Sequence, residues 1–148
     1  MRIAVLDALR SLRDRTPWHV AETTGDERVV PVFRRFALLR ERLVEYLAEQ
    51  ARVAVTTDRP LMRPLFFDHR DAAVWDHPLQ YQLGDDLLVN PVTTPGASTW
   101  TTYLPPGEWV DVWTGAPATG LVTREVPIDV VPVYCRATAW PRRSALFA

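Results

Sequence analysis

The chain has 148 residues, 47% of them hydrophobic and 24% charged, with a formal net charge of −1. That is enough chain for one globular domain burying about 70% of its unfolded surface, and the balanced charge gives no electrostatic ground for nucleic acid or an anionic membrane as partner. A single cysteine, Cys135, excludes an internal disulfide, and no stretch approaches the roughly 18 apolar residues of a spanning helix or the apolar core of a secretory signal; the expectation is a soluble, cytoplasmic protein.

Residues 1–15 set Ile3, Leu6, Leu9 or Arg10, and Arg13 at helical spacing with arginine on the other face, a weak amphipathic helix without a cap. Thr16-Pro17-Trp18 is expected to end it, because the residue before a proline is pushed out of the α region, and residues 23–27 read as a loop. The pattern then becomes firm. Val32, Phe36, Leu39, Leu43, Tyr46 and Leu47 recur at i, i+4, i+7, i+11, i+14 and i+15, with Arg35, Arg40, Glu41, Arg42, Glu45 and Glu49 between them. The spacing predicts one long amphipathic helix over 31–54, entered through Pro31, whose stripe is core material.

Arg59-Pro60 breaks that pattern. Residues 61–67 form an apolar run interrupted by Arg63 and Pro64, expected as a strand of an α/β unit covered on both faces, with Arg63 needing a partner or water. Asp68, His69, Asp71, Asp76 and His77 follow in loop sequence, and their spacing matches no metal site. The stretch from Tyr81 to Val92 organises the chain: Leu87, Leu88 and Val89 make a buried strand entered from Gly84-Asp85-Asp86 and left through Asn90-Pro91. Asp85 and Asp86 read as turn residues accepting backbone hydrogen bonds.

Beyond it the composition turns to Thr, Val, Trp and Pro. Residues 99–104 and 109–113 read as two strands joined in a hairpin by Pro105-Pro106-Gly107-Glu108, with proline and glycine at the central positions of a type II turn. Residues 121–126 and 130–137 supply two more strands, with Pro127 and Pro132 pointing to edges or bulges. Short strands separated by turn signals argue for a β-sandwich. Trp100, Trp109 and Trp113 could stack on the C–H face of a pyranose, whereas alternating strand positions favour core. Cys135, inside an apolar strand, reads as a small hydrophobe.

These residues carry a resemblance. Arg63-Pro64-Leu65, Gln80-Tyr81 with Leu83-Gly84-Asp85-Asp86-Leu87-Leu88-Val89 and Pro91-Val92, and Tyr103-Leu104-Pro105 with Gly107, Trp109, Asp111, Trp113, Thr114 and Gly115 resemble the C-terminal part of glycoside hydrolase family 31. Val131-Pro132-Val133 with Arg136-Ala137 is similar to the last motif of that region, and Leu39-Arg40, Arg42-Leu43 and Tyr46-Leu47 resemble the helix before the final barrel strand. The resemblance runs over 17–141. It implies a (β/α)8 barrel that hydrolyses α-linked glucosides or xylosides with retention, followed by β-sandwich domains. Retention needs two carboxyl groups about 5 Å apart, and the resemblance places both catalytic aspartates on strands upstream of the matched region. Asp68, Asp71, Asp85 and Asp86 align with other positions. Two departures stand out: Glu45 replaces a usual proline, implying a straighter helix, and Thr138 replaces a common glycine. Residues 1–15 do not resemble what should precede Trp18, which leaves a fragment, a mis-called start or a true subunit as readings.

The expected fold is therefore α+β: residues 1–79 a helical segment resembling the last barrel helix and strand, residues 80–148 an antiparallel β-sandwich. No catalytic residue, metal or cofactor is assigned. Arg63, Asp68, Trp109 and Trp113 are the candidate binding residues. The candidate partners are the missing barrel portion, a second copy of the chain through the helix 31–54, and carbohydrate, with no nucleic acid and no membrane. Three functions fit: the C-terminal piece of an α-glycosidase that is inactive alone, a non-catalytic β-sandwich module binding carbohydrate or protein, and a complementing subunit of a split glycosidase.

Overall fold

The computed structural model describes residues 16–148; the helix expected over 1–15 lies outside them. The first described element, α1 (Pro17–Thr24), starts where a helix was expected to stop. The Thr16 hydroxyl accepts a hydrogen bond from the His19 amide at 3.2 Å, Pro17 takes the first helical position, and Gly25 closes the helix at φ 66°.

The long helix of the sequence pattern is two helices, α2 (Val29–Arg42) and α3 (Val44–Thr57), meeting at Leu43. Leu43 has φ −79° and ψ −6°, at the shallow-ψ edge of the right-handed helical region, and its amide still bonds to the Leu39 carbonyl. No proline is involved: the break falls just before Glu45, so the straighter helix implied by that residue is not found. The joint puts buried Leu43 at its centre and directs both segments of the stripe, Phe36 and Leu39 on one side and Tyr46 and Leu47 on the other, into one core.

Six strands make one antiparallel sheet: β1 (Met62–Pro64), β2 (Tyr81–Leu83), β3 (Leu87–Val89), β4 (Thr99–Asp111), β5 (Pro117–Glu125) and β6 (Val133–Arg136), in the order β1-β2-β3-β6-β4-β5. The architecture is α+β, with helices first and the antiparallel β domain after them. Of the apolar run 61–67, only three residues are extended, and they lie antiparallel to β2 at the sheet edge; after Pro64 the chain coils into the single turn α4 (Leu65–Asp68). The expected α/β strand covered on both faces is thus replaced by an edge strand, because the prolines at 60 and 64 permit only a short extended segment.

The hairpin also lies elsewhere. Residues 105–108 form no turn between strands: they are the irregular middle of β4, where register with β5 shifts between Leu104 and Trp109 and Gly107 sits at φ 131°. A bulge takes up the Pro-Pro-Gly sequence that reads locally as a type II turn. The chain reverses instead after Asp111, whose carboxylate accepts from the amides of Trp113 and Thr114 while Gly115 adopts φ 72°.

Strict alternation gives the sheet two buried faces. Leu83, Leu87, Val89, Val133 and Cys135 face Phe36, Leu39, Leu43, Tyr46 and Leu47, with Val112 and Val131. Leu88 and Tyr134 point the other way, into a cluster with Leu65, Val74, Leu104 and Trp109. The bulge lets the distal part of β4 bend over this second face. There the Gln80 side chain bonds both the amide and the carbonyl of Tyr103, and Asn90 bonds the Thr101 carbonyl. The helical stripe is therefore covered by the chain's own sheet, which removes the reason for self-association through the helix 31–54.

Truncating Phe36, 1% exposed in the first core, should cost about 3–5 kcal/mol. In urea, the far-ultraviolet circular dichroism of Phe36→Ala and its tryptophan fluorescence should shift together; two separated transitions would contradict a shared core.

Candidate functional site

The polar residues of the described chain converge on the turn between β2 and β3. Gly84 has φ 64°, in the left-handed region, and a Cβ there would lie 2.4 Å from Tyr46 Oη and 2.5 Å from Gln50 Cγ, so only glycine fits. Tyr46 Oη donates to the Leu83 carbonyl at 2.6 Å and accepts from the Asp86 amide at 3.2 Å. Gln50 Oε1 accepts from the Asp85 amide at 2.8 Å, and the Gly84 amide donates to the Leu61 carbonyl at 2.8 Å. Two side chains of α3 thus bind the backbone of a turn more than thirty residues away.

Charges complete the clamp. The Asp86 carboxylate, 8% exposed, accepts from Arg142 Nη2 at 3.0 Å and Arg143 Nε at 2.9 Å; Arg142 and Arg143 belong to the short helix α5 (Trp140–Arg143). Arg143 also reaches Glu49 at 2.8 Å and lies over the Tyr46 ring, 4.7 Å from its centre. Burial pushes the Tyr46 phenol well above its ordinary range, keeping it a neutral donor. Asp85 and Asp86 therefore take arginine side chains, not the backbone donors expected of turn residues.

Arg63, 4% exposed, points from β1 into this region: Nε donates to Asp68 Oδ2 at 2.9 Å, Nη1 to the Pro60 carbonyl at 2.9 Å, and Nη2 to the Gly84 carbonyl and Asp85 Oδ1, each at 3.1 Å. Asp68 also pairs with Arg59 at 2.5 Å. Burial alone would raise the Asp68 carboxyl, but the hydrogen bonds from Arg63 and Arg59 outweigh it and hold it below the usual carboxylate range. Such a group is a fixed anion. It is poorly suited to give up a proton at neutral pH.

The other candidates are dispersed. Trp109 is 1% exposed, donates from Nε1 to the Pro105 carbonyl at 2.9 Å and carries Arg136 over its ring at 4.6 Å, so it offers no face to a ligand. Trp113 is half-buried: its Nε1 bonds the Val131 carbonyl at 2.7 Å, Arg35 lies over the ring, and Phe147 meets its edge. Trp100 bonds Asn90. The exposed tryptophans are Trp18 and Trp75, which strand alternation could not single out. Asp71 caps the 3-10 turn Ala72–Asp76 and accepts from the Tyr103 hydroxyl, and His77 stacks on the Tyr103 ring at 5.2 Å. Among the described residues, no group of three His, Cys, Asp or Glu side chains is placed to hold a metal, and no helix is long and apolar enough to cross a membrane. Burial raises the Cys135 thiol to about 12, leaving it a neutral core group. An open depression of about 650 Å³, lined by Arg28, Ser98, Thr99, Glu125 and Ile128 among others, lies apart from the clamp.

Comparison with known proteins gives one answer. Residues 58–139 match the glycosyl hydrolase family 31 C-terminal domain. A 1,3-alpha-isomaltosidase from Kribbella flavida is 69% identical over 139 residues, which is 93% of this chain and 19% of that protein. The solved structure of a variant of Kfla1895 superposes with a TM-score of 0.89 at 67% identity, over 95% of this chain and 20% of that one. A cycloalternan-degrading enzyme from Trueperella pyogenes, solved with a covalent intermediate, gives 0.85 at 47% identity, over 92% and 21%. The chain thus spans about a fifth of the length of these relatives.

Two measurements test the clamp. Gly84→Ala should lose on the order of 1–3 kcal/mol from backbone strain alone, and more from displacing Tyr46, read as a lower urea midpoint. Because Asp68 ionises at lower pH in the fold than unfolded, its stabilisation is complete above the unfolded value of about 3.9 and is lost as pH falls through the folded value. Asp68→Asn should flatten the acid limb of the stability–pH curve; an unchanged limb would place the acid sensitivity elsewhere.

Proposed function

We propose, from the premise that this chain belongs to glycoside hydrolase family 31, that it forms the C-terminal β domain and last helices of a retaining α-glycosidase. The catalytic aspartates in this reading come from the barrel that precedes it. The observation that carries the reading is the match of the family's C-terminal domain over 58–139, together with a relative 69% identical over nearly the whole chain. That relative is named for 1,3-alpha-isomaltosidase activity, and we take the substrate to be an oligosaccharide bearing α-1,3-linked isomaltosyl units.

Retaining hydrolysis requires a nucleophilic carboxylate and a second carboxyl that protonates the leaving oxygen and later activates water. Asp68, Asp85 and Asp86 are committed to arginines, and Asp71 to a helix cap and a tyrosine. The role assigned to them is therefore support. Arg63 and Asp68 fix the segment that follows β1, and Trp109 and Trp113 fill the β domain, so neither pair is proposed as a sugar ligand. The division expected at residue 80 is kept only for the helices, which we assign to the end of the barrel, because the strand expected with them is β1, which pairs antiparallel with β2 in the β sheet, and the C-terminal-domain match already begins at residue 58. The partner is the barrel portion itself.

Alone, the chain should not release aryl alcohol from aryl α-glucosides or α-xylosides above a no-enzyme control. Exchanged for the matching segment of the Kribbella flavida relative, it should preserve hydrolysis of an oligosaccharide with a terminal α-1,3-linked isomaltosyl unit. Turnover by the chain alone that Asp68→Asn abolishes, or a folded but inactive chimera, would contradict the reading.

A further inference from the structure

Between β1 and β2 the chain carries a concentration of apolar surface that the fold does not use. Phe66, Phe67, Trp75 and Leu79 are 46%, 49%, 66% and 57% exposed. Phe66 and Trp75 lie face to face, with ring centres 4.8 Å apart and planes within 5°. The other large exposed apolar side chains, such as Leu38, Val44, Val55 and Leu121, are spread over α2, α3 and β5.

The segment is held from beneath. Leu65 and Val74 are buried in the second core, so α4 and the 3-10 turn are each pinned by one apolar residue while their neighbours face outward. Asp68 is gripped by Arg59 and Arg63, Asp71 caps the turn and takes the Tyr103 hydroxyl, and His77 stacks on Tyr103. Two aromatic rings, 46% and 66% exposed, are thus presented on a fixed support. A rigid aromatic patch of this kind loses little conformational freedom on association and is the usual composition of an interface anchor.

From this we infer that the Phe66–Trp75 stack, in the segment that also exposes Phe67 and Leu79, is the anchor on which the preceding portion of the longer enzyme seats. The inference rests on the reading under Proposed function. Two observations choose that occupant over a second copy or a sugar. The fold superposes on a relative with a TM-score of 0.89 while covering 20% of it, so the same surface belongs to a domain that has four-fifths of a chain to meet. The patch also opens directly from β1, at the start of the residues that match the C-terminal domain.

The test is hydroxyl-radical footprinting of Trp75 in the free chain and in the chimera carrying this chain in place of the matching segment of the Kribbella flavida relative. Trp75 should be oxidised at least tenfold more slowly in the chimera than in the free chain. The double variant Phe66→Glu, Trp75→Glu should leave the unfolding midpoint of the free chain unchanged and lower that of the chimera. An active chimera in which Trp75 is oxidised as fast as in the free chain overturns the inference and leaves the functional reading standing. A folded, inactive chimera in which Trp75 is protected does the reverse. Failure of both activity and protection overturns both. Protection of Trp75 in the free chain that grows with its concentration, or on addition of isomaltose, assigns the face to a second copy or to a sugar and likewise overturns the inference.

Discussion

The turn at Leu83–Gly84–Asp85–Asp86 is the constraint on which the remaining structure depends. Four separate parts of the chain fasten to it: α3 through Tyr46 and Gln50, β1 through Arg63, β6 through the Arg136 amide, and α5 through Arg142 and Arg143. Each bond satisfies a backbone or carboxylate group that burial would otherwise leave costly, and the cost of an unmade bond there exceeds the gain from any one that is made. The left-handed conformation at Gly84 brings the backbone within reach of Tyr46, and no side chain could occupy its place.

Apolar packing and the polar clamp are arranged in series. The stripe of α2 and α3 covers one face of the sheet, and the curled distal half of β4 covers the other. Neither cover is placed by hydrophobicity alone, which is non-directional. Tyr46 sits both in the stripe and on the turn, so the position of the helix on the sheet is fixed by hydrogen-bond geometry. The same turn, through Arg63 and Asp68, steadies the segment that displays Phe66 and Trp75.

Much of this was legible in the sequence, and the parts that were not share a cause. The continuous apolar run at Leu87, Leu88 and Val89, bounded by turn residues, and the helical stripe from Phe36 to Leu47 are local signals, and both elements are found. The family motifs around Gly84 were readable because several occur in order. Local signals misled wherever a distant contact decided. Pro105-Pro106-Gly107 has turn chemistry, but pairing with β5 continues past it and converts it into a bulge. The helical pattern runs unbroken through Leu43, yet packing against the sheet divides it. Asp85 and Asp86 look like ordinary turn residues until Arg59, Arg63, Arg142 and Arg143 arrive from elsewhere in the chain. Among tryptophans, position on a strand identified Trp109 as core, while the exposure of Trp75 follows from a one-turn helix that no periodicity announces.

Native-state hydrogen exchange of the chain and of Tyr46→Phe tests most directly whether the turn binds helix and sheet into one unit. The account predicts that the Leu47 amide in α3 and the Leu88 amide in β3 open with the same free energy, and that removing the Tyr46 hydroxyl lowers both by the same amount. If Leu47 exchanges through a cheaper opening than Leu88 and Tyr46→Phe leaves both unchanged, the helices are held by apolar contact alone and the turn is not what unites them.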